Sequence, residues 1–315
     1  NKVFHDILDY LQPGDVMVRN NTKVIPARLI GVKSETKGKV EVLLLHEVPE
    51  EGEDVWECLV GNAHSVRVGS HCDFGDGKLT CECTKVLPEG IRHMRFSYSG
   101  IFLEVLDQLG LMPLPPYIKK QCDDNSDYQT VYAKVPGSAA APTAGFHFTD
   151  ELFQKIQEKG VEVLDITLNI GLGTFRPVKV QDTQEHHMHS ETYEMDAHTA
   201  ERLNLAKKEG RRIIAIGTTS VRTLESVYQK YGEFRACHEA TSIFISPGYH
   251  YQAVDALITN FHLPKSTLVM LVSAFMGRKW TLKCYEKAVQ DGYRFFSFGD
   301  AMFIYGHYDY DHQEE

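Results

Sequence analysis

Over the first hundred residues, apolar positions come in short runs separated by turn-forming residues. Val16-Met17-Val18 and residues 27–32, 40–48, 56–60, 71–74, 79–86 and 91–98 each read as a strand. Thr80 to Val86 alternates polar and apolar side chains, the period of a half-buried strand. Gly75-Asp76-Gly77 and Pro88-Glu89-Gly90 lie between such runs and supply hairpin connections. Short strands at this spacing predict a small barrel or sandwich. The period then changes: Phe102, Val105, Leu106 and Leu109 fall on one face of a short helix that Gly110 ends. Pro113-Leu114-Pro115-Pro116 breaks the chain, and the Asp-rich residues 121–127 predict an exposed loop.

From Phe146 onward, strands alternate with helices. Thr149-Asp150-Glu151 starts a helix: the Thr oxygen caps a free N–H, and the two acids favour the positive end of the helix dipole. Residues 161–170 form a strand, 197–209 a helix, 212–216 a strand and 220–231 a helix. Residues 243–245, 256–258 and 302–304 are further strands, and 266–277 and 282–290 further helices. This alternation predicts an α/β domain with a largely parallel sheet. The expected organisation has two parts. An α/β domain takes residues 1–26 and 101–315, and a small β-barrel domain, residues 27–100, is inserted near its N-terminus.

Composition agrees with a folded protein that has a core: 43% of the 315 residues are hydrophobic and 24% charged. A net charge of −10 argues against broad cationic binding of nucleic acid, because phosphate contacts need Lys and Arg. It leaves room for a local patch, and basic pairs occur at 119–120, 207–208, 211–212 and 278–279. The seven Cys are scattered, without a CxxC. Cys81 and Cys83 share one face of a strand and read as thiols rather than metal ligands. A reducing, cytoplasmic setting and a monomer are expected. No signal peptide is evident, and the longest apolar stretch, Leu268 to Met276, reads as a buried helix rather than a membrane span. With Asn1 first rather than Met, an N-terminal piece is expected to precede it.

The clearest chemical signal is residues 213–222, where an apolar strand ends in Gly217 and hydroxyl residues open a helix. Strand C-termini in open α/β sheets face the ligand crevice, and a helix N-terminus there offers free N–H groups to an anion. Thr218, Thr219 and Ser220 add hydroxyls, and Arg222 adds a cation. An ordinary helix cap would use the same hydroxyl residues. Gly171-Leu172-Gly173-Thr174-Phe175-Arg176 follows another strand and has glycines spaced for close backbone approach. It is not a dinucleotide fingerprint, since Arg176 holds the last glycine position. His186, His187 and His189 cluster ahead of Glu191. Without Cys or further carboxylates in register, these suit acid–base work better than metal binding. Thr143, Gly145 and His147 precede the Thr149 helix, Asn260 and His262 follow a strand, and Asp300 lies near the end of the chain as a turn cap or a site acid.

Seven segments together resemble one family. They are residues 20–28 (NNTKVIPAR), 141–148 (APTAGFHF), 171–177 (GLGTFRP), 188–191 (MHSE), 217–226 (GTTSVRTLES), 255–273 (DALITNFHLPKSTLVMLVS) and 293–302. In this order, over nearly the whole chain, they resemble the S-adenosylmethionine:tRNA ribosyltransferase-isomerases. Asn169 stands where His is expected, and Ser246 where Tyr is expected, which puts those two side chains in doubt as essential groups.

The resemblance implies an enzyme with an α/β domain and a β-barrel domain. It implies transfer and isomerisation of the ribosyl group of S-adenosylmethionine onto 7-aminomethyl-7-deazaguanine at the wobble position of tRNA. The product is epoxyqueuosine, and adenine and methionine leave. No metal and no cofactor beyond S-adenosylmethionine as co-substrate is expected, nor any membrane. The methionine carboxylate is assigned to Thr218, Thr219, Ser220 and Arg222. His147, His189, Glu191 and His262 are nominated for acid–base work. Thr143, Gly145, Gly171, Gly173, Thr174, Arg176 and Asn260 are expected at the substrates, and Asp300 at the edge of the base. Two other classes compete. A small-molecule transferase would process free nucleotide. A non-catalytic RNA-binding protein would need a basic barrel with exposed aromatics, and residues 40–100 are not notably basic.

Overall fold

The computed structural model describes residues 1–115, 118, 128–171 and 190–308. After a 3-10 turn at Phe4–Asp9 come β1 (Val16–Asn20) and β2 (Thr22–Val24). Then β3 (Arg28–Lys33), β4 (Lys39–Glu47), β5 (Val55–Gly61), β6 (His71–Phe74), β7 (Leu79–Val86) and β8 (Ile91–Tyr98) close into a barrel in the order β3-β4-β5-β8-β7-β6. Their alternation is the reason they close: Val40, Val42 and Leu44 from β4 point inward with Cys58 and Val60 of β5, Cys81 and Cys83 of β7 and Met94 and Phe96 of β8. Both nominated turns connect antiparallel neighbours. Arg92 is buried in the barrel and donates to the carbonyls of Ala63, Val66, Leu87 and Ile91, so a cation without a carboxylate partner among the described residues is still hydrogen-bonded there.

Helix α1 (Phe102–Leu109) lays Val105 and Leu106 into the barrel core, and its Phe102 ring packs on Trp56, Phe96 and Tyr98. The chain enters and leaves the barrel at one point. Arg28 and Leu111 exchange backbone hydrogen bonds of 3.1 and 2.8 Å. Gly110 lets the two segments touch, since a Cβ there would sit 1.9 Å from the Pro26 carbonyl oxygen. Gly110→Ala is expected to destabilise the protein by roughly 2 kcal/mol or more, read as a lowered denaturant midpoint. An unchanged midpoint would show that the neck can spread without cost.

Downstream lie β9 (Val135–Ser138), α2 (Asp150–Glu158), β10 (Glu162–Leu168), β11 (Glu191–Met195), α3 (Ala197–Glu209), β12 (Ile213–Ile216), α4 (Gly217–Tyr231), β13 (Cys237–Thr241), β14 (Ala256–Asn260), α5 (Thr267–Met276), α6 (Arg278–Gln290) and β15 (Ala301–Tyr305). Seven strands form one sheet in the order β13-β11-β10-β1-β12-β14-β15. The central four are parallel, and the remaining strands run antiparallel to their neighbours. Both faces are covered. Val16, Val18, Ile213 and Ala215 pack under α3, α4 and α5, while Met17, Ile214 and Ile216 pack with α2 and the N-terminal turn. That double burial explains continuous apolar strands rather than alternating ones. Thr149 caps α2, accepting from the Leu152 N–H at 3.2 Å.

The two-part α and β architecture read from the sequence is present, with local corrections. Residues 243–245 are not a strand: Ile245 is buried, but the segment has no ladder partner among the described residues, and the nearby strand is β13. Helix α4 begins at Gly217 rather than 220, and α6 at Arg278 rather than 282. The parallel pair β2–β9 was not foreseen, because Pro136 and Gly137 in β9 read as breakers. The loop expected at 121–127 lies outside the described residues.

Candidate active site

The C-terminal ends of β1, β10, β12 and β14 lie side by side, and polar side chains gather there. At the end of β1, Asn20 exchanges hydrogen bonds with the Leu168 backbone, at 2.9 Å each way, and accepts from the Thr22 N–H. Thr22 donates to Asn169 at 2.8 Å, and a Cβ on Gly137 would meet the Asn169 amide. Asn169 therefore ties β10 to the β2–β9 pair. The resemblance carried Asn20 and Thr22 within a motif, but neither was named as a site residue.

One cluster surrounds Asn260, the last residue of β14, which is 2% exposed. Its amide donates to Thr143 Oγ1 at 3.1 Å and to the carbonyls of Phe296 and Ser297. Its oxygen faces His147 Nε2 at 2.6 Å. With the amide nitrogen committed to acceptors, Nε2 is the donor, which leaves the other ring nitrogen of a neutral imidazole as an acceptor. Among the described residues Nδ1 has no hydrogen-bond partner. Burial lowers the His147 pKa, against the opposing influence of the Asn260 hydrogen bond and Asp300. Phe4 stacks on the ring at 5.0 Å. His147 and Asp300 face a cleft of about 630 Å³. The Asp300 carboxylate is held by the Arg294 side chain at 2.7 Å and the Arg294 N–H at 2.7 Å, which lowers its pKa. Arg294 is a residue the sequence reading missed.

Gly145 has a packing reason: a Cβ there would lie 2.1 Å from the Tyr132 hydroxyl. His262, on the loop after β14, shares a 2.8 Å hydrogen bond with Thr259 Oγ1, and its backbone N–H donates to Tyr285 of α6 at 3.0 Å. Burial pushes the His262 imidazole down to about 4, so it is neutral near pH 7.

A second cluster lies at the start of α4. Gly217, at φ 84°, turns the chain directly from strand into helix and packs against Ala144, which joins the two clusters. Ser220 is fully buried and donates to the Ile216 carbonyl at 2.9 Å, so its proton is used within the helix. Thr218 and Thr219 are partly exposed. Arg222 is buried and ion-paired with Glu191, whose other oxygen accepts from the Gly171 N–H at 3.0 Å. The negative partner of Arg222 inside the protein is thus a carboxylate from β11. Among the described residues, Arg222 Nε and Nη2 and Thr219 Oγ1 are buried with no hydrogen-bond partner. Buried donors of this kind are rare unless a ligand or water satisfies them. Gly173, Thr174, Arg176 and His189 lie outside the described residues. Among the described residues, no three His, Cys, Asp or Glu side chains are placed to hold a metal.

An open sheet with a parallel centre and polar side chains gathered over its strand ends, and a closed barrel inserted after its first strand and β2, marks a ligand-binding α/β protein with an appended barrel. Residues 1–304 match the family described as queuosine biosynthesis protein, and the chain belongs to that family. Two relatives from strains of Staphylococcus epidermidis, each named S-adenosylmethionine:tRNA ribosyltransferase-isomerase, are 56% identical over 301 residues, covering 96% of this chain and 87% of theirs. A crystal structure of S-adenosylmethionine tRNA ribosyltransferase from Thermotoga maritima is 33% identical, covers 96% of this chain and 86% of that one, and superposes with a TM-score of 0.50. No helix among the described residues is long and apolar enough to cross a membrane.

Proposed function

We propose that this protein is an S-adenosylmethionine:tRNA ribosyltransferase-isomerase. It moves and isomerises the ribosyl group of S-adenosylmethionine onto 7-aminomethyl-7-deazaguanine in tRNA, giving epoxyqueuosine and releasing adenine and methionine. The observation that carries this reading is the 56% identity to enzymes of that name over 96% of the chain. It acts as a cytoplasmic monomer, with residues 27–100 as its barrel domain and S-adenosylmethionine as its one co-substrate.

The site chemistry supports the reading. Proton removal beside the sulfonium, or from the incoming amine, needs an unprotonated base, and departing adenine needs a proton. His147 offers an acceptor nitrogen with a lowered pKa, held in one tautomer by Asn260. His262, bonded to Thr259 on the loop after β14, and His189 and Glu191 complete the acid–base set. The cleft beside His147 takes the deazaguanine, with Asp300 and Arg294 toward its edge. The methionine carboxylate meets the α4 N-terminus, Thr218, Thr219 and the Nε and Nη2 donors of Arg222, which have no partner among the described residues. Gly171, Gly173, Thr174 and Arg176 approach the same ligand.

The direct test mixes the protein with S-adenosylmethionine and tRNA carrying the aminomethyl base. Adenine release that requires both substrates is expected. Absence of release, or equal release with free nucleotide, rejects the reading in favour of another transferase. Arg222→Lys isolates the carboxylate contact. It retains a cation for Glu191 but loses the guanidinium fork. S-adenosylmethionine affinity is expected to fall about tenfold or more, the size of one charge-assisted contact. Calorimetric titration showing native affinity would remove Arg222 from the substrate site.

A further inference from the structure

Helix α6 departs from the charge balance of the chain. It carries Arg278, Lys279, Lys283 and Lys287 against Glu286 alone, in a protein of net charge −10. Lys287 is taken by Asp291. Among the described residues, Arg278, Lys279 and Lys283 form no ion pair. Trp280 lies between them and is 53% exposed, with Lys283 Nζ 4.9 Å from the centre of its ring. Positions 279, 280 and 283 are neighbours on one stripe of a helix. The opposite face is buried through Thr281 and Ala288, and Tyr285 there accepts the His262 N–H at 3.0 Å. The helix that bears the stripe is therefore fixed to the candidate active site.

We propose that the outward stripe of α6 docks the RNA substrate, with Trp280 stacking on an unpaired base and Lys279 and Lys283 holding phosphates beside it. An aromatic ring interleaved with unpaired cations is what single-stranded RNA needs. The base finds a flat apolar surface and the flanking backbone finds positive charge. Charge complementarity on an acidic protein favours such a contact where unpaired cations flank an exposed ring. The stripe lies on an element that touches His262, so RNA held there stays near the reacting base. The inference rests on the activity proposed above, and its test separates the two.

The test titrates tRNA carrying 7-aminomethyl-7-deazaguanine into the wild-type protein and a Lys279→Ala/Trp280→Ala/Lys283→Ala variant, by fluorescence anisotropy, at several salt concentrations between about 50 and 200 mM. The variant is expected to bind at least tenfold more weakly. The slope of log affinity on log salt should become shallower by roughly 1.5, the share of two lysines. S-adenosylmethionine affinity and melting temperature should not change. Trp280→Phe alone, which keeps a stacking ring, should stay within about threefold of wild type. Unchanged tRNA affinity and slope in the triple variant, with wild-type protein that binds and turns over, overturn the docking surface and leave the activity standing. So does loss of a dimer without loss of RNA affinity, which would make the stripe a contact with a second copy. Wild-type protein that neither binds this tRNA nor releases adenine overturns both.

Discussion

His147→Gln is expected to lower kcat by about 10²- to 10⁴-fold, the usual worth of a positioned proton-transfer group. Glutamine can still donate to Asn260 but offers no titratable nitrogen, so fold and substrate binding should survive while proton transfer does not. The pH profile gives a second readout. Burial lowers the His147 pKa, so the ring stays neutral to a lower pH than a free histidine would. The acid limb of wild-type activity should therefore fall below the ordinary histidine value of about 6.5, and the variant should lose that limb. Single-turnover adenine release across pH measures both. A variant with native turnover removes His147 from the chemistry.

Glu225→Ala should be the most damaging change away from the site. Glu225 is fully buried in α4, and its carboxylate accepts from the backbone N–H groups of Gln252, Ala253 and Val254 at 2.9–3.1 Å, and from the Tyr249 hydroxyl at 3.0 Å. These bonds hold the segment that leads into β14 and so into Asn260. Truncation leaves buried donors unmet and is expected to lower stability by roughly 3–5 kcal/mol, with a melting temperature lower by roughly 10 °C. Glu225→Gln keeps acceptor oxygen and should fall between. A loss under about 1 kcal/mol would show that water replaces the carboxylate.

These residues also show what sequence can and cannot reveal. The turn from β12 into α4 was legible, because an apolar run ending in glycine before hydroxyl residues has few other uses. Arg222 was legible as a cation in want of an anion, but its partner Glu191 was not, since the contact spans elements far apart in the chain. The same holds for His147 and Asn260, which are unremarkable singly and become a positioned tautomer only when the 3-10 turn at Thr143–His147 meets β14. Glu225 sat inside a quoted motif without a role, because most of its partners are main-chain N–H groups, which every residue has. β13 was missed because Cys237 to Thr241 is a polar edge strand, with little to bury on either face. The barrel was legible because small barrels must alternate, whereas the helix boundaries moved by a turn because tertiary packing decides where a helix begins.

The narrow neck at Arg28 and Leu111 bears on the order in which the chain can assemble. Val16 of β1 must find Glu162 of β10, across a long stretch of chain that contains the whole barrel. If the barrel closes first, its two ends are already neighbours, and the length of chain the sheet must close more than halves. Loop entropy grows only logarithmically with length, so the gain is about 0.7 kcal/mol. By the same logic the barrel can lengthen or shorten its hairpins with almost no effect on the sheet. The neck thus lets the two parts vary in size independently, while the sheet and the segments on it that carry His147, Asn260 and Arg222 keep their places.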